Sequence, residues 1–465
     1  MASTYFTRTP GSSGSNSTFT ISVWLKKAGA SGTASGSQIL LTGGTDGGSQ
    51  SNVIYFDTSN RLGCYQGTGG QQWYTTTAKY SDINGWYHIV NTFDSTASGS
   101  DKIKLWINGV QETVFTTDNR SSFTNCQDIN QNAQNRWGSG ATANYFDGYM
   151  AQLCMADGTA YAASTFGETD STTGEWKPKS DGDVRSAVTF GTNGYLLTFE
   201  NASYPGYDYQ SSDRSGTTND WTLVGDGLQS QDNPSNNFPE ISMDYMPYDD
   251  PSIYIDEAGL YVQSQTSAST YFGGAATMGL SKGKWYWETK GYTGWNGGAI
   301  GVFSDPQNSA DNDRTCGYNT YDWSYRSDGQ VESNNTTQDS GMGTYADGDV
   351  IGTYLDLDNN KIYWAKNGTI INSGTGWTIT AAASTTHGFY FPGQADIAGS
   401  GGSFFGLNFG NGWFKVTKLT GTTYSDAQGQ GIFKYSPNDG GASSFDSTAK
   451  DFLAICKKNL KSYGG

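Results

Sequence analysis

The chain is short of histidine, of basic charge, of proline and of long apolar runs, and each shortage bears on what it can do. Only two histidines occur, His88 and His387. No Ser-His-Asp or Cys-His arrangement surrounds either one, so a nucleophilic triad lacks its base. His88 lies in a strand-like run with Trp86 and Val90 on its own side, which reads as a packed imidazole rather than a catalytic one. The five cysteines, Cys64, Cys126, Cys154, Cys316 and Cys456, are odd in number and far apart, with no C-x-x-C pair. That pattern argues against a disulfide framework or a zinc site and for buried, reduced thiols. Basic residues number 27 against 44 acidic ones, a net charge of −17, which repels a phosphate backbone; no nucleic-acid partner is expected. No apolar run approaches the roughly 18 residues of a membrane span. The first ten residues hold no apolar h-region, so the expectation is a soluble protein without membrane insertion or Sec-type export.

What is abundant is turn and ring. Glycine occurs 63 times, aromatics make up 14% of the chain and proline only 10 positions, a composition of short strands joined by many turns rather than of long helices. Two segments read almost as copies of one device. Lys104-Leu105-Trp106-Ile107 runs into Asn108-Gly109, and Ile362-Tyr363-Trp364-Ala365-Lys366 runs into Asn367-Gly368. Asn-Gly tolerates the positive φ angles of a type I′ turn, whose twist matches that of the flanking strands, so each predicts a hairpin. Each is preceded by an aromatic strand, Trp86-Tyr87-His88-Ile89-Val90 or Trp285-Tyr286-Trp287-Glu288.

The first strand, around Phe19-Thr20-Ile21-Ser22-Val23-Trp24-Leu25, alternates with period two and places Phe19, Ile21, Val23 and Leu25 on one face. Further strands are expected at 38–42, 53–57, 61–66, 86–94, 102–107 and 145–156, with a last one near 194–200. The spacing of turn residues between them suits a sandwich. Residues 201 to about 250, rich in Tyr, Asp, Ser, Asn and Pro, read as a surface connector. A second strand-rich block follows, and only residues 447–460 look helical. The expected organisation is an all-β chain of two jelly-roll sandwiches: 1–205, an irregular connector 206–250, 251–420, and a short C-terminal tail 421–465.

In the first block Thr4-Tyr5-Phe6-Thr7-Arg8, Ser22-Val23-Trp24-Leu25, Trp86-Tyr87-His88, Ile107-Asn108-Gly109 and Tyr145-Phe146-Asp147-Gly148 resemble the laminin-G/pentraxin-like branch of the concanavalin A-like jelly rolls. Asp157-Gly158-Thr159-Ala160, Phe166-Gly167-Glu168-Thr169-Asp170, Gly174-Glu175-Trp176-Lys177-Pro178 and Asp232-Asn233-Pro234-Ser235-Asn236 resemble a run found in structural proteins of marine tailed bacteriophages. In the second block Gly283-Lys284-Trp285-Tyr286-Trp287-Glu288, Ala299-Ile300-Gly301-Val302, Asp347-Gly348-Asp349-Val350-Ile351-Gly352 and Leu407-Asn408-Phe409-Gly410 follow one another as in a SPRY domain, also a concanavalin A-like sandwich. The resemblance implies a virion protein made in the host cytoplasm, with other virion proteins and a host-surface glycan or receptor as partners and a homo-oligomeric assembly.

Jelly rolls of this kind include glycan hydrolases, which need paired carboxylates at a fixed separation. No E-x-D-x-E strand occurs, and Glu112, Glu168, Glu175, Glu200 and Glu288 lie in separate segments, so no catalytic residue is assigned. Asp356-Leu357-Asp358-Asn359-Asn360 starts like an EF-hand loop but has Lys361 where the glycine belongs. Asp305-Pro306-Gln307-Asn308-Ser309-Ala310-Asp311-Asn312-Asp313 carries oxygens that could serve Ca²⁺ but reads better as a solvated acidic loop; no cofactor is expected and calcium stays unassigned. The aromatics are the binding candidates. Trp73, Tyr74, Trp137, Trp295, Trp323, Tyr325 and Arg326 sit in Gly/Asn-rich surroundings, where flat rings flanked by amides suit sugar faces or protein epitopes. The functional expectation is a non-enzymatic tail-fibre or surface-appendage protein that recognises the host. Capsid decoration or a tail joint is the structural alternative, and a surface-glycan depolymerase the enzymatic one.

Overall fold

The computed structural model describes residues 4–28, 37–44, 52–66, 71–140, 144–216, 219–227, 229–242, 253–256, 259–264, 272–292, 297–306, 316–396, 403–415, 417–438 and 451–464. The chain divides into two units, 1–229 and 230–465, each a sandwich of two mainly antiparallel sheets.

In the first unit an eight-stranded sheet runs, edge to edge, through Phe115–Asp118, Gln71–Lys79, Arg61–Gln66, Asn52–Phe56, Gln38–Gly43, Asn135–Trp137, Tyr5–Arg8 and Thr222–Val224. Facing it, a six-stranded sheet runs through Tyr195–Leu197, Gly148–Asp157, Thr18–Lys27, Tyr87–Asp94, Ile103–Ile107 and Val110–Gln111. The period-two reading of the first long strand holds: Phe19, Ile21, Val23 and Leu25 enter the central core with Phe93, Leu105 and Leu153. Its other face is buried as well, because the segment after Asp157 folds back over it. Phe166, Val184 and Phe190 form a second cluster with Val90, Cys154 and Leu196 of the six-stranded sheet. Within that cover a short helix, Asp181–Ala187, is capped by Ser180, whose hydroxyl accepts the Asp183 amide, the arrangement a helix N-terminus requires.

The second unit repeats this plan. One sheet carries Ile253–Asp256, Tyr261–Ser264, Phe404–Asn408, Lys284–Gly291, Val350–Asp356, Lys361–Lys366 and Thr369–Ile370 in that order. The other carries Phe272–Ala275, Phe391–Asp396, Gly298–Phe303, Trp323–Arg326, Val331–Ser333 and Thr336–Asp339. Tyr286 and Tyr354 are cross-strand partners, and Phe433 and Phe452 pack on them at ring separations of 5.0 and 5.1 Å. The C-terminal segment thus covers this sheet as residues 158–190 cover theirs.

Both Asn-Gly hairpins have the predicted backbone: φ is 49° and 80° at Asn108 and Gly109, and 50° and 81° at Asn367 and Gly368. Each asparagine also caps its neighbouring strand, Oδ1 of Asn108 accepting the His88 amide at 2.7 Å and Oδ1 of Asn367 the Val350 amide at 2.9 Å.

Two boundary expectations are corrected. Residues 206–229 are not a connector: Thr222–Val224 extends the eight-stranded sheet by pairing with Tyr5–Arg8, Asp208 bridges Leu197 and Trp221 is buried in the core. Residues 230–242 belong to the second unit, where Ile241 pairs with Ala276; 243–250 lie outside the described residues. Nor is 421–465 an appended tail. Leu453–Ala454 pairs in parallel with Trp285 and Tyr286, and Asp426 accepts the Ala454 amide and the Asn459 side-chain amide at 2.8 and 2.7 Å. Local composition shows only that these stretches lack aliphatic runs. Their buried rings and single buried carboxylates attach them to a core assembled elsewhere. The expected helix is shorter, Lys457–Tyr463, and residues 447–450 lie outside the described residues.

Candidate functional site

Four of the seven aromatic and cationic candidates are core residues. Trp73 and Tyr74 are consecutive on one strand, yet both are buried, because the register slips there: Gln72 faces Tyr65 while Tyr74 faces Cys64, leaving Trp73 as the extra residue of a bulge. Trp73 packs edge-on against Phe123 at 5.2 Å, and the Tyr74 hydroxyl donates to Asn91 Oδ1 at 2.6 Å. Trp137 is buried and donates its indole N–H to the Tyr195 hydroxyl at 2.7 Å. Tyr325 is sealed, its hydroxyl held by the Gly343 carbonyl at 2.6 Å. Glycine and asparagine around these residues mark turns, but the rings themselves face inward from strands. Trp323 and Arg326 remain half-buried at the two ends of one short strand. Three residues apart on a strand, they point to opposite faces and do not form one patch. Arg326 is engaged by Asp328 and Glu332 at 3.0 and 3.1 Å. Trp295 lies outside the described residues.

Two groups with catalytic potential, His88 and Glu288, serve as scaffolding, whereas the second histidine, His387, is exposed with its Nε2 3.0 Å from Asp305 Oδ1. His88 is clamped between Trp24, stacked at 4.4 Å, and Trp176. Its Nδ1 accepts the Trp176 indole N–H at 3.0 Å, which places the imidazole proton on Nε2, directed at Ser22 Oγ at 2.8 Å. Burial pushes its pKa down to about 3. Glu288 is buried and receives four donors: the Tyr435 amide at 2.7 Å and the Tyr286 hydroxyl at 3.1 Å on Oε1, the Asn408 amide at 2.9 Å and the Lys434 amide at 3.0 Å on Oε2. Desolvation pushes its pKa up to about 7 against the pull of those donors. The carboxylate therefore clasps the C-terminal segment to the sheet. Asp356, first residue of the EF-hand-like run, accepts both nitrogens of Asn359 at 3.0 and 2.8 Å, as a turn residue does. Among the described residues no group of three or more His, Cys, Asp or Glu side chains is placed to hold a metal ion. Most of the acidic loop, residues 307–315, lies outside them.

What faces solvent is of a different kind. An open concavity of about 710 Å³ in the second unit is walled by Lys282, Lys284, Asp358, Gln428, Lys461 and Tyr463, among others. Its wall depends on Gly283, where φ is +89° and a Cβ would stand 2.9 Å from the Tyr463 carbonyl; only glycine lets the helix end approach the strand so closely. Lys284 is drawn toward buried Asp356 at 3.6 Å, and Asp358 accepts the Gly283 amide at 3.0 Å. Three lysines, an amide and an exposed ring surround the hollow together with the carboxylates of Asp358 and Asp451, so its charge is mixed and selects no ligand by sign. Sequence reasoning missed this hollow because its walls come from four segments far apart in the chain.

Residues 2–164 match the model of the concanavalin A-like lectin/glucanases superfamily, laminin-G type, and residues 284–392 match that of the SPRY domain. The first unit thus contains a laminin-G/concanavalin A-like domain and the second a SPRY domain. Among solved structures, the SPRY domain of human HERC1 is similar at 17% identity over 36% of this chain and 96% of that one, with a TM-score of 0.29. A putative carbohydrate binding protein from Bacteroides ovatus is similar at 14% identity over 48% of this chain and 56% of that one, with a TM-score of 0.32. No curated protein matches the chain.

Proposed function

We propose that this is a non-enzymatic bacteriophage virion protein, a tail-fibre or surface-appendage component that binds host-surface glycan or protein. The observation that carries the binding reading is the burial of two strand-borne side chains with catalytic potential. His88 and Glu288 are sealed inside their units with every polar atom engaged, whereas the open surface offers a polar hollow edged by Tyr463. Acid–base catalysis needs a titrating group within reach of substrate, and neither group meets that condition. The virion assignment is supported by the resemblance of residues 157–238 to phage structural proteins. The association of a lectin-like with a SPRY-like sandwich is consistent with recognition of a surface.

The test is adsorption. Purified full-length protein should bind host cells and compete with phage, and labels on the protein should mark the tail or a fibre tip. Labels spaced regularly over the capsid, with no competition, would transfer the assignment to decoration. Release of reducing ends from host polysaccharide would transfer it to a depolymerase.

A further inference from the structure

Within the first unit, the stretch after the last core strand builds a stack of planar groups that the core does not require. The rings of Tyr204 and Tyr207 lie 4.8 Å apart and only 9° from parallel. The Arg214 guanidinium carbon stands 3.5 Å from the Tyr207 ring centre. Two groups cannot stack this closely on the same side of one ring, so Tyr207 is sandwiched, with Arg214 on one face and Tyr204 on the other. Arg214 is in turn held by Asp220, both of whose carboxylate oxygens lie 2.7 Å from Nη2.

The base of this stack is rigid. Asp208 accepts the amides of Leu196 and Gln210, each at 3.0 Å, its own amide donates to Asp220 at 2.8 Å, and the Trp221 amide donates to Gly206 at 2.8 Å. Yet the outermost ring, Tyr204, is 58% exposed. A stack anchored at one end and open at the other presents a fixed ring face to solvent, with its orientation settled before any ligand arrives.

We propose that the outer face of Tyr204 is a platform that takes the apolar face of a neutral pyranose. This rests on the reading of the protein as a surface-binding module and names a ligand class for its first unit. One exposed ring matches the C–H face of one sugar, whose hydroxyls stay in water. A protein partner needs a contiguous patch burying on the order of 1,000 Å² in total. The other exposed large apolar side chains described in this unit, Val110 and Val114, belong to the opposite edge of the fold at and beyond the outermost strand of the six-stranded sheet. Charge selects further: Glu200, Asp213 and Asp220 lie on the same stretch and Arg214 is committed to Asp220, so acidic sugars are repelled. Asp213 stays ionised, its pKa lowered to about 2 by hydrogen bonds from Ser211 and Ser215.

Saturation-transfer NMR on the full-length protein tests this, with methyl β-galactoside, methyl β-glucoside and N-acetylglucosamine as probes and glucuronic acid as the acidic control. Enhancements are expected on the ring protons of one sugar face for at least one neutral probe, and not for glucuronic acid. Tyr204→Ala should lower them by about fivefold or more and Tyr204→Phe should retain them, both with unchanged melting temperature. Absence of signal from all three neutral probes, or signal that survives Tyr204→Ala, overturns the proposal. So does a change in sedimentation on Tyr204→Ala, which would make the ring a subunit contact. The adsorption assay is independent: sugar binding that depends on Tyr204 without host-cell competition would sink the adhesin reading and leave the platform standing.

Discussion

The indole of Trp176 lies flat against Gly109: a Cβ built on that glycine would stand 2.5 Å from the ring. In the second unit Tyr435 stands in the same relation to Gly368, also at 2.5 Å. Both units therefore fasten their covering segment to the glycine of an Asn-Gly hairpin. That glycine is required twice, once for its positive φ and once for its missing side chain.

Gly109→Ala and Gly368→Ala should each destabilise their own unit by about 2–3 kcal/mol, combining left-handed backbone strain with displacement of the ring. Gly99→Ala isolates the first effect, since Gly99 has φ +56° with nothing within 4 Å of a new Cβ, and should cost about 1 kcal/mol. Denaturant melts of the three variants check this; equal losses in all three would remove the rings from the account.

Acid should weaken the first unit through His88. Its pKa in the folded state, about 3, lies below the ordinary 6.5, so the unfolded chain binds the proton first as pH falls. The stabilisation is complete above pH 6.5 and is lost between 6.5 and 3, on the order of 4 kcal/mol across the window. His88→Phe should flatten that part of the stability profile; an unchanged slope would locate the acid sensitivity elsewhere.

Glu288 should act with the opposite sign. Its folded pKa, about 7, lies above the ordinary 4.5, so the contribution is fully present below pH 4.5 and declines as pH rises through 7. Glu288→Gln turns an amide N–H toward four donors, so it should cost roughly 2–3 kcal/mol and abolish this pH dependence. Hydrogen exchange at the Lys434 and Tyr435 amides should accelerate. Protection retained in the variant would mean that the carboxylate is not the clasp.

Fragments should obey the observed division rather than the composition shift. Residues 1–229 should fold alone, while 1–205 lacks Thr222–Val224 and the buried Trp221 and should melt at a lower temperature. A 251–420 fragment leaves Tyr286 and Tyr354 uncovered by Phe433 and Phe452 and should expose apolar surface to dye, unlike 230–465. Equal melting of long and short fragments would restore the connector and the tail as separate pieces.

Local rules carried the class of the fold. Asn108-Gly109 and Asn367-Gly368 announced their hairpins because a type I′ turn is set by two adjacent residues, and Phe19, Ile21, Val23 and Leu25 announced a core face because strand periodicity is equally local. The same rules failed at Trp73 and Tyr74, where a bulge breaks the alternation, and at Trp137 and Tyr325, whose turn-rich neighbours say nothing about which way a strand faces. The stretch from 201 is legible in the sequence only as rich in tyrosine and aspartate; that Tyr204, Tyr207, Arg214 and Asp220 close into one stack is not.

By itself the sequence determined that the chain is all-β, acidic, poor in titratable histidine and arranged as two sandwiches, because composition, turn chemistry and alternation act over a few residues. Only the tertiary structure decided which rings are core and which meet solvent, and that Glu288 grips a segment almost 150 residues away. Those outcomes depend on non-local pairing, where one register shift or one buried carboxylate selects among packings that the local pattern leaves equal.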